Sequence, residues 1–191
     1  MFTTEQEFNK EVVNFLRKKI TEEGLASIRV VGGYDSGASD NYLLRDFTFN
    51  KTDNSWYLYG GFQEIDVILY KETIPREQLL GSFVKSTGVG VRGNIIVPSV
   101  IIELKKASRR KTSKLSSFPS HDAIATNVIA GDVKKLFPRV KAMFLFDNFE
   151  GVPSTFKNIS FNRMLYNFDG IYLDWKNDKE RIWKVIKGCL V

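Results

Sequence analysis

The chain reads as an α/β protein, a mixed central sheet flanked by helices, and three observations predict it. Amphipathic helical patterns occupy the start, the middle and the end, at 3–23, 121–137 and 179–190. Between them lie runs rich in β-branched and aromatic residues, and Val140 to Phe146 is apolar enough for a strand buried on both faces. The order helix, strands carrying acids, strand, helix, buried strand is that of a layered α/β sandwich. At 191 residues, 43% hydrophobic and 13% aromatic, the chain suits one domain with a substantial core. The expected layout is a single domain over 1–191. Its core spans about 3–146, and 147–191 is an extension that completes the core or builds an interface.

The first helix, Thr3 to Glu23, carries Phe8, Val12, Phe15, Leu16 and Lys19 near one stripe, with Ile20 at its edge. Thr3 or Thr4 is its N-cap candidate and Gly24 its stop. Ser27 to Val31 reads as a short strand. Gly32 to Asp40 is too polar and glycine-rich for regular structure. Leu44 to Phe49 and Trp56 to Tyr59 read as a strand pair, followed by a strand through Phe62 to Tyr70. Gln78 to Lys85 is ambiguous. Asn94 to Lys105 is a long strand, in which Pro98 predicts a bulge or an edge. Lys106 to Pro119 reads as a basic, Ser/Thr-rich loop. His121 to Phe137 is a helix closed by Pro138, and Val140 to Phe146 is the buried strand. Asn158 to Tyr166 suggests a short helix, Phe168 to Leu173 a strand, and Lys179 to Leu190 the last helix.

Composition excludes several classes. No apolar run approaches the ~20 residues of a membrane span, and the start lacks the basic-then-apolar order of a signal peptide. One cysteine, Cys189, rules out an internal disulfide, and one histidine, His121, leaves little for a zinc site. A reducing, cytoplasmic setting is expected. Cys189 reads as a small buried hydrophobe and His121 as part of a helix start. The net charge is +6 and is concentrated: Ile101 to Leu145 holds ten Lys/Arg against three Asp/Glu, so the remainder is nearly neutral. Such a patch attracts polyanions.

Two segments carry the chemistry, Glu64-Ile65-Asp66-Val67-Ile68-Leu69-Tyr70 and Val100-Ile101-Ile102-Glu103-Leu104-Lys105. Both are strand-like and apolar, yet charge is set into each. A buried carboxylate is costly unless paired or bound to a cation. Alternation puts Glu103 and Lys105 on one face and Ile102 and Leu104 on the other, and pairs Glu64 with Asp66. If the two strands pair, Asp66, Glu103 and Lys105 converge. Two carboxylates and an amine there suit a hard cation and phosphodiester hydrolysis. An E-x-K triplet by itself is common. Here an apolar run precedes it, a second acid sits on another apolar strand, and a basic stretch follows.

Asp66 followed by Glu103-Leu104-Lys105 resembles the PD-(D/E)XK nuclease superfamily, which includes restriction endonucleases and Holliday-junction resolvases. The resemblance covers roughly Thr3 to Phe146 in element order and is specific only at the motif residues. Ile65 stands where the family motif has proline, and a glycine-rich insertion lengthens the gap to Glu103. The resemblance implies a restriction-endonuclease-like core and Mg2+, replaceable by Mn2+, held by Asp66, Glu103 and the main-chain carbonyl of Leu104. Lys105 would orient or help deprotonate the attacking water, leaving a 5′-phosphate. Glu5, from the first helix, and Glu64 are accessory ligand candidates; a first-turn acid favoured by the helix dipole and a solvated strand entry are their plainer readings.

The basic residues Lys106, Arg109, Arg110, Lys111 and Lys114 are candidate phosphate contacts, with Ser113, Ser116 and Ser117 adding hydroxyls. Lys134, Lys135, Arg139 and Lys141 would extend the patch. Gly88 to Gly93 matches G-x-G-x-x-G, but a strand follows it where a dinucleotide site needs a helix, so it reads as a turn. The expectation is a Mg2+-dependent endonuclease acting on double-stranded DNA, as a homodimer if it cuts both strands. The rivals are the same chemistry on RNA or branched DNA, a nucleic-acid-binding module without cleavage, and an unrelated α/β domain.

Overall fold

The computed structural model describes residues 2–34, 41–52, 55–76, 78, 84–86, 94–106, 108–109, 116–117, 120–148 and 165–190. In chain order the elements are α1 (Glu5–Glu22), β1 (Arg29–Gly32), β2 (Tyr42–Thr52), β3 (Ser55–Glu64), β4 (Val67–Ile74), β5 (Val84–Ser86), β6 (Ile95–Lys105), β7 (Ser108–Arg109), β8 (Ser116–Ser117), α2 (Ser120–Leu136), β9 (Lys141–Phe146), β10 (Gly170–Tyr172) and α3 (Trp175–Leu190).

The protein is α/β, with a mixed central sheet ordered β1-β4-β6-β9-β10. β4 runs antiparallel to both β1 and β6, while β9 pairs parallel with β6 and β10 parallel with β9. Alternation along β6 splits its apolar residues between two cores. Val100, Ile102 and Leu104 join Phe8, Val12 and Leu16 of α1 and Trp175, Ile182 and Ile186 of α3. Ile101 faces the other way with Phe144, Phe146 and the α2 residues Ala123, Ala130 and Val133. α1 and α3 therefore cover one face, and α2 covers the other. A second sheet, β2-β3-β5, adjoins the α2 side, and Leu43 of β2 shares the core there. β10 belongs to the central sheet and α3 to the core it shares with α1.

Helix α1 starts on a capping box. The Thr4 hydroxyl accepts from the Glu7 N–H (3.1 Å), and the Glu7 carboxylate accepts from the Thr4 N–H (3.4 Å). Gly24, with φ +66°, ends it, as a residue without Cβ can. The buried stripe is Phe8, Asn9, Val12, Val13, Leu16 and Ile20. It is shifted from the predicted one: Val13 and Asn9 are inside, whereas Phe15 and Lys19 are half-buried. Lys19 is drawn outward by Glu180 (2.8 Å).

Three other expectations change. The run Glu64 to Tyr70 is not one strand: β3 ends at Glu64 in the second sheet, and β4 begins at Val67 in the first. Ile65 and Asp66 are the crossover, so Glu64 and Asp66 do not share a strand face. The basic stretch after Lys106 is not wholly irregular, since β7 pairs with β8 as an antiparallel ladder. The last helix begins at Trp175, four residues before Lys179, where the Asp174 carboxylate accepts from the Asn177 N–H (3.2 Å). Pro98 does mark an irregularity. It faces Tyr70, where the β4–β6 register shifts, and β9 pairs only from Val100 onward. The segment 88–93, and 158–164 of the proposed short helix, lie outside the described residues.

Removing the Thr4 cap should loosen the turn that carries Glu5. Thr4→Ala is expected to lower stability by about 1 kcal/mol, read as a shift in the urea midpoint without a change in slope.

Candidate functional site

Antiparallel pairing of β4 with β6 brings the two motif segments together. Val67 lies opposite Ile102, the last pair of the ladder. Beyond it the chain turns toward the second sheet, and the Leu104 N–H loses its main-chain partner. The Asp66 side chain takes it: Leu104 N donates to Asp66 Oδ2 (2.7 Å). Asp66 is thereby aimed across the strand end at Glu103, close enough that each carboxyl perturbs the other. Glu103 and Lys105 project from the face that Ile101 occupies, opposite to Ile102 and Leu104. On the far flank they lie beside Phe144 and Phe146 of β9.

Both carboxyls are half-buried and perturbed upward. For Glu103, removal from water comes first and the neighbouring Asp66 charge second, and together they lift it well above the ordinary range, with Lys105 opposing. For Asp66, removal from water again dominates and Glu5 adds to it, while the Leu104 N–H and Lys105 hold it back. Without a cation, the pair keeps a proton between them more readily than two separate carboxyls would.

Glu5 reaches this site from α1. Its Oε1 lies 3.6 Å from Lys105 Nζ, with the Glu5 side chain 47% exposed and that of Lys105 29% exposed. Glu11 instead pairs with Lys179 (3.6 Å). Glu64 is exposed, and its Oε1 accepts from the buried Asn41 amide (3.1 Å). It lies near enough to raise Glu103 further. Tyr34 is half exposed, and its hydroxyl is raised by burial, then by the charges of Asp66, Glu5 and Glu64. The start of the polar loop after β1 therefore borders the acidic cluster.

The backbone beneath Asp66 is fixed by groups the sequence reading did not single out. The Asp66 carbonyl accepts from the Gly33 N–H (2.9 Å) and from the Asn9 amide (2.8 Å). Asn41, 1% exposed, binds the neighbouring Ile65 through its own carbonyl, which accepts from the Ile65 N–H (3.0 Å). At Gly33 a Cβ would sit 3.2 Å from the Asn41 amide and 3.3 Å from Glu64 Oε1, so glycine allows this close approach. Asn9 was legible in one respect. With Val13, Leu16 and Ile20 it keeps helical spacing, a polar residue on an apolar stripe.

Among the described residues, no three or more His, Cys, Asp or Glu side chains gather as a closed metal cage. The donors on hand are the Asp66 and Glu103 carboxyls and, on the residue that binds Asp66, the Leu104 carbonyl. Mg2+ uses one or two carboxylates and keeps several waters, so this donor set fits it chemically. A divalent ion would compete with protons for these two carboxyls.

The basic candidates divide. Lys106 donates from Nζ to the Thr3 carbonyl (2.8 Å), tying the strand end to the start of α1. Arg109 lies on β7, and Arg110, Lys111 and Lys114 fall outside the described residues. Lys134 and Lys141 pair with Asp169 (2.8 and 3.3 Å), and Lys135 with Asp132 (2.8 Å). Lys141 opens β9 at the end remote from Phe146, roughly 16 Å of strand from Lys105's neighbour. These lysines therefore do not extend a patch at the site. Cys189 is half-buried, with Sγ donating to the Val185 carbonyl (3.2 Å). No described helix is long and apolar enough to cross a membrane.

The raised carboxyls give a signed pH dependence. The folded protein holds the Glu103 proton at pH values where the unfolded chain has lost it. This contribution is complete below the ordinary carboxylate range and is lost as pH rises through the folded value. Metal-free Glu103→Gln should therefore gain in thermal midpoint over wild type as pH rises from about 4 to 8. Parallel midpoint curves would rule this account out. Compared with known proteins, the sequence matches no protein-family model and no curated protein.

Proposed function

We propose that the protein is a Mg2+-dependent endonuclease of restriction-endonuclease-like fold that hydrolyses DNA phosphodiester bonds. The observation that carries this reading is the convergence of Asp66, Glu103 and Lys105 at the ends of two paired strands. A wholly structural role would leave this half-buried carboxyl pair as a net cost, since an apolar pair at the same strand ends avoids it. A site for a hard cation gives the cost a use.

In this reading Asp66 and Glu103 hold the metal with the Leu104 carbonyl, and Glu5 and Glu64 flank it. The bound metal supplies charge neutralisation at the phosphate and acidifies a water. Lys105 orients the attacking water and offsets charge on the phosphoryl oxygens. Its contact with Glu5 keeps the amine at the site rather than extended into solvent. Lys106 and Arg109 begin the basic segment that follows the catalytic strand, where a phosphate backbone would lie. Mn2+ would substitute for Mg2+. Cutting both strands of a duplex calls for two such sites, and so for a homodimer.

The test is cleavage of supercoiled plasmid, linear duplex, branched and single-stranded substrates with Mg2+, Mn2+ or EDTA. Metal-dependent cleavage is expected, and Asp66→Ala and Lys105→Ala should each lower it by about 10²-fold or more. Products from branched DNA or RNA alone would reassign the substrate and leave the chemistry. Salt-sensitive DNA binding without cleavage, unchanged in both variants, would overturn the enzyme and leave a binding module.

A further inference from the structure

We propose that Asn9 is a positioning residue of the metal site, acting through the main chain of Asp66. The inference rests on the metal-site reading above and goes beyond it, since Asn9 carries no charge and belongs to no motif.

Asn9 is 2% exposed and lies on the helix stripe that buries Phe8, Val12, Val13 and Leu16. A buried amide in such a stripe is disfavoured unless its hydrogen bonds are made. Its Nδ2 donates to the Asp66 carbonyl at 2.8 Å. That carbonyl already accepts from the Gly33 N–H at 2.9 Å. The second bond is therefore not needed to satisfy the oxygen. What it adds is an attachment between α1 and the crossover residue.

This attachment has a geometric consequence. Glu5 and Asn9 are one helical turn apart, so they stand on the same side of α1. Glu5 meets Lys105 at the end of β6, and Asn9 meets Asp66 just before β4. One helix face thus sets the height of Asp66 relative to Lys105. The crossover lies outside the strands and is held by single main-chain bonds, to Gly33 at Asp66 and to Asn41 at Ile65. Ile65 and Asp66 fall between strands of two different sheets. Asp66 must nevertheless keep its carboxylate on the Leu104 N–H and toward Glu103. Partners that orient a ligand in this way commonly account for about 10- to 100-fold in metal affinity.

The test separates positioning from stability. Mn2+ binding to the intact chain would be measured by calorimetry, with no nucleic acid present, for wild type, Asn9→Leu, Asn9→Ser and Asp66→Ala. Thermal midpoints would be recorded beside them. Asn9→Leu replaces a buried amide by a side chain suited to its apolar neighbours, so its midpoint should hold or rise while Mn2+ affinity falls by about tenfold or more. A purely structural asparagine would give the reverse. Asn9→Ser leaves room for a water that can bridge to the Asp66 carbonyl, and should recover part of the affinity. If Asn9→Leu folds poorly, the serine variant carries the test alone: weaker binding than wild type at an unchanged midpoint supports positioning. Wild-type affinity in both asparagine variants, with binding lost in Asp66→Ala, would overturn the inference and leave the metal site standing. No Mn2+ binding by the wild type would overturn the metal site, and the inference with it.

Discussion

The structure turns on a break in one β-ladder. β4 and β6 pair up to Val67 and Ile102, and then the chain on the β4 side departs for the second sheet. Departure leaves the Leu104 N–H without a strand partner in a half-buried setting, where an unmade hydrogen bond is expensive. The Asp66 carboxylate supplies the acceptor at 2.7 Å. The same bond repairs the ladder and fixes a carboxylate against Glu103. Structural repair and chemical placement are one interaction here, which is why the pair of raised carboxyls lies at the break.

Alternation along β6 does the remaining work. Ile102 and Leu104 are needed by the core under α1 and α3, so Glu103 and Lys105 must face the other way. Their neighbours Phe144 and Phe146 pack ring to ring at 5.1 Å on β9, giving that flank an apolar wall. Burial on this side of the sheet is the first cause of the rise at Glu103. α1 closes the opposite side. Its capping box, Asn9 and Glu5 all lie within its first turns, so the part of the helix that meets the strand ends is also the part most tightly tied down.

Charge on this protein is sorted by position more than by amount. The lysines that end α2 and open β9 are drawn to Asp132 and Asp169, and Asp169 also receives the Ala142 N–H at 2.8 Å. Their charge is used to anchor the start of β9. Among the described residues, Lys105 is the cation that acts on the carboxyl pair, and Lys105 and Lys106 each reach back to the beginning of α1. A local excess of basic residues in a sequence is therefore a poor guide to a continuous patch, because acidic partners such as Asp132 and Asp169 claim part of it.

Periodicity made much of the fold legible. The apolar runs of β6 and β9 and the amphipathic patterns of α1 and α3 are local properties, set by which side chains must leave water, and the sequence alone determined them. So did the facing of Glu103 and Lys105, because strand alternation needs no tertiary information. The break at Ile65-Asp66 was not legible. Glu64 to Tyr70 has the composition of one strand, and whether it stays in one sheet depends on Asn9, Asn41 and Gly33, which are distant in sequence. Asn9 shows the limit most plainly: its helical spacing marks it as buried, but an amide's worth is set by the acceptor it meets. That acceptor, the Asp66 carbonyl, is 57 residues away along the chain. The sequence by itself determined which residues could be chemical and which way two of them face. Only the tertiary structure decided that they meet, because hydrogen bonds between remote segments have no local signature.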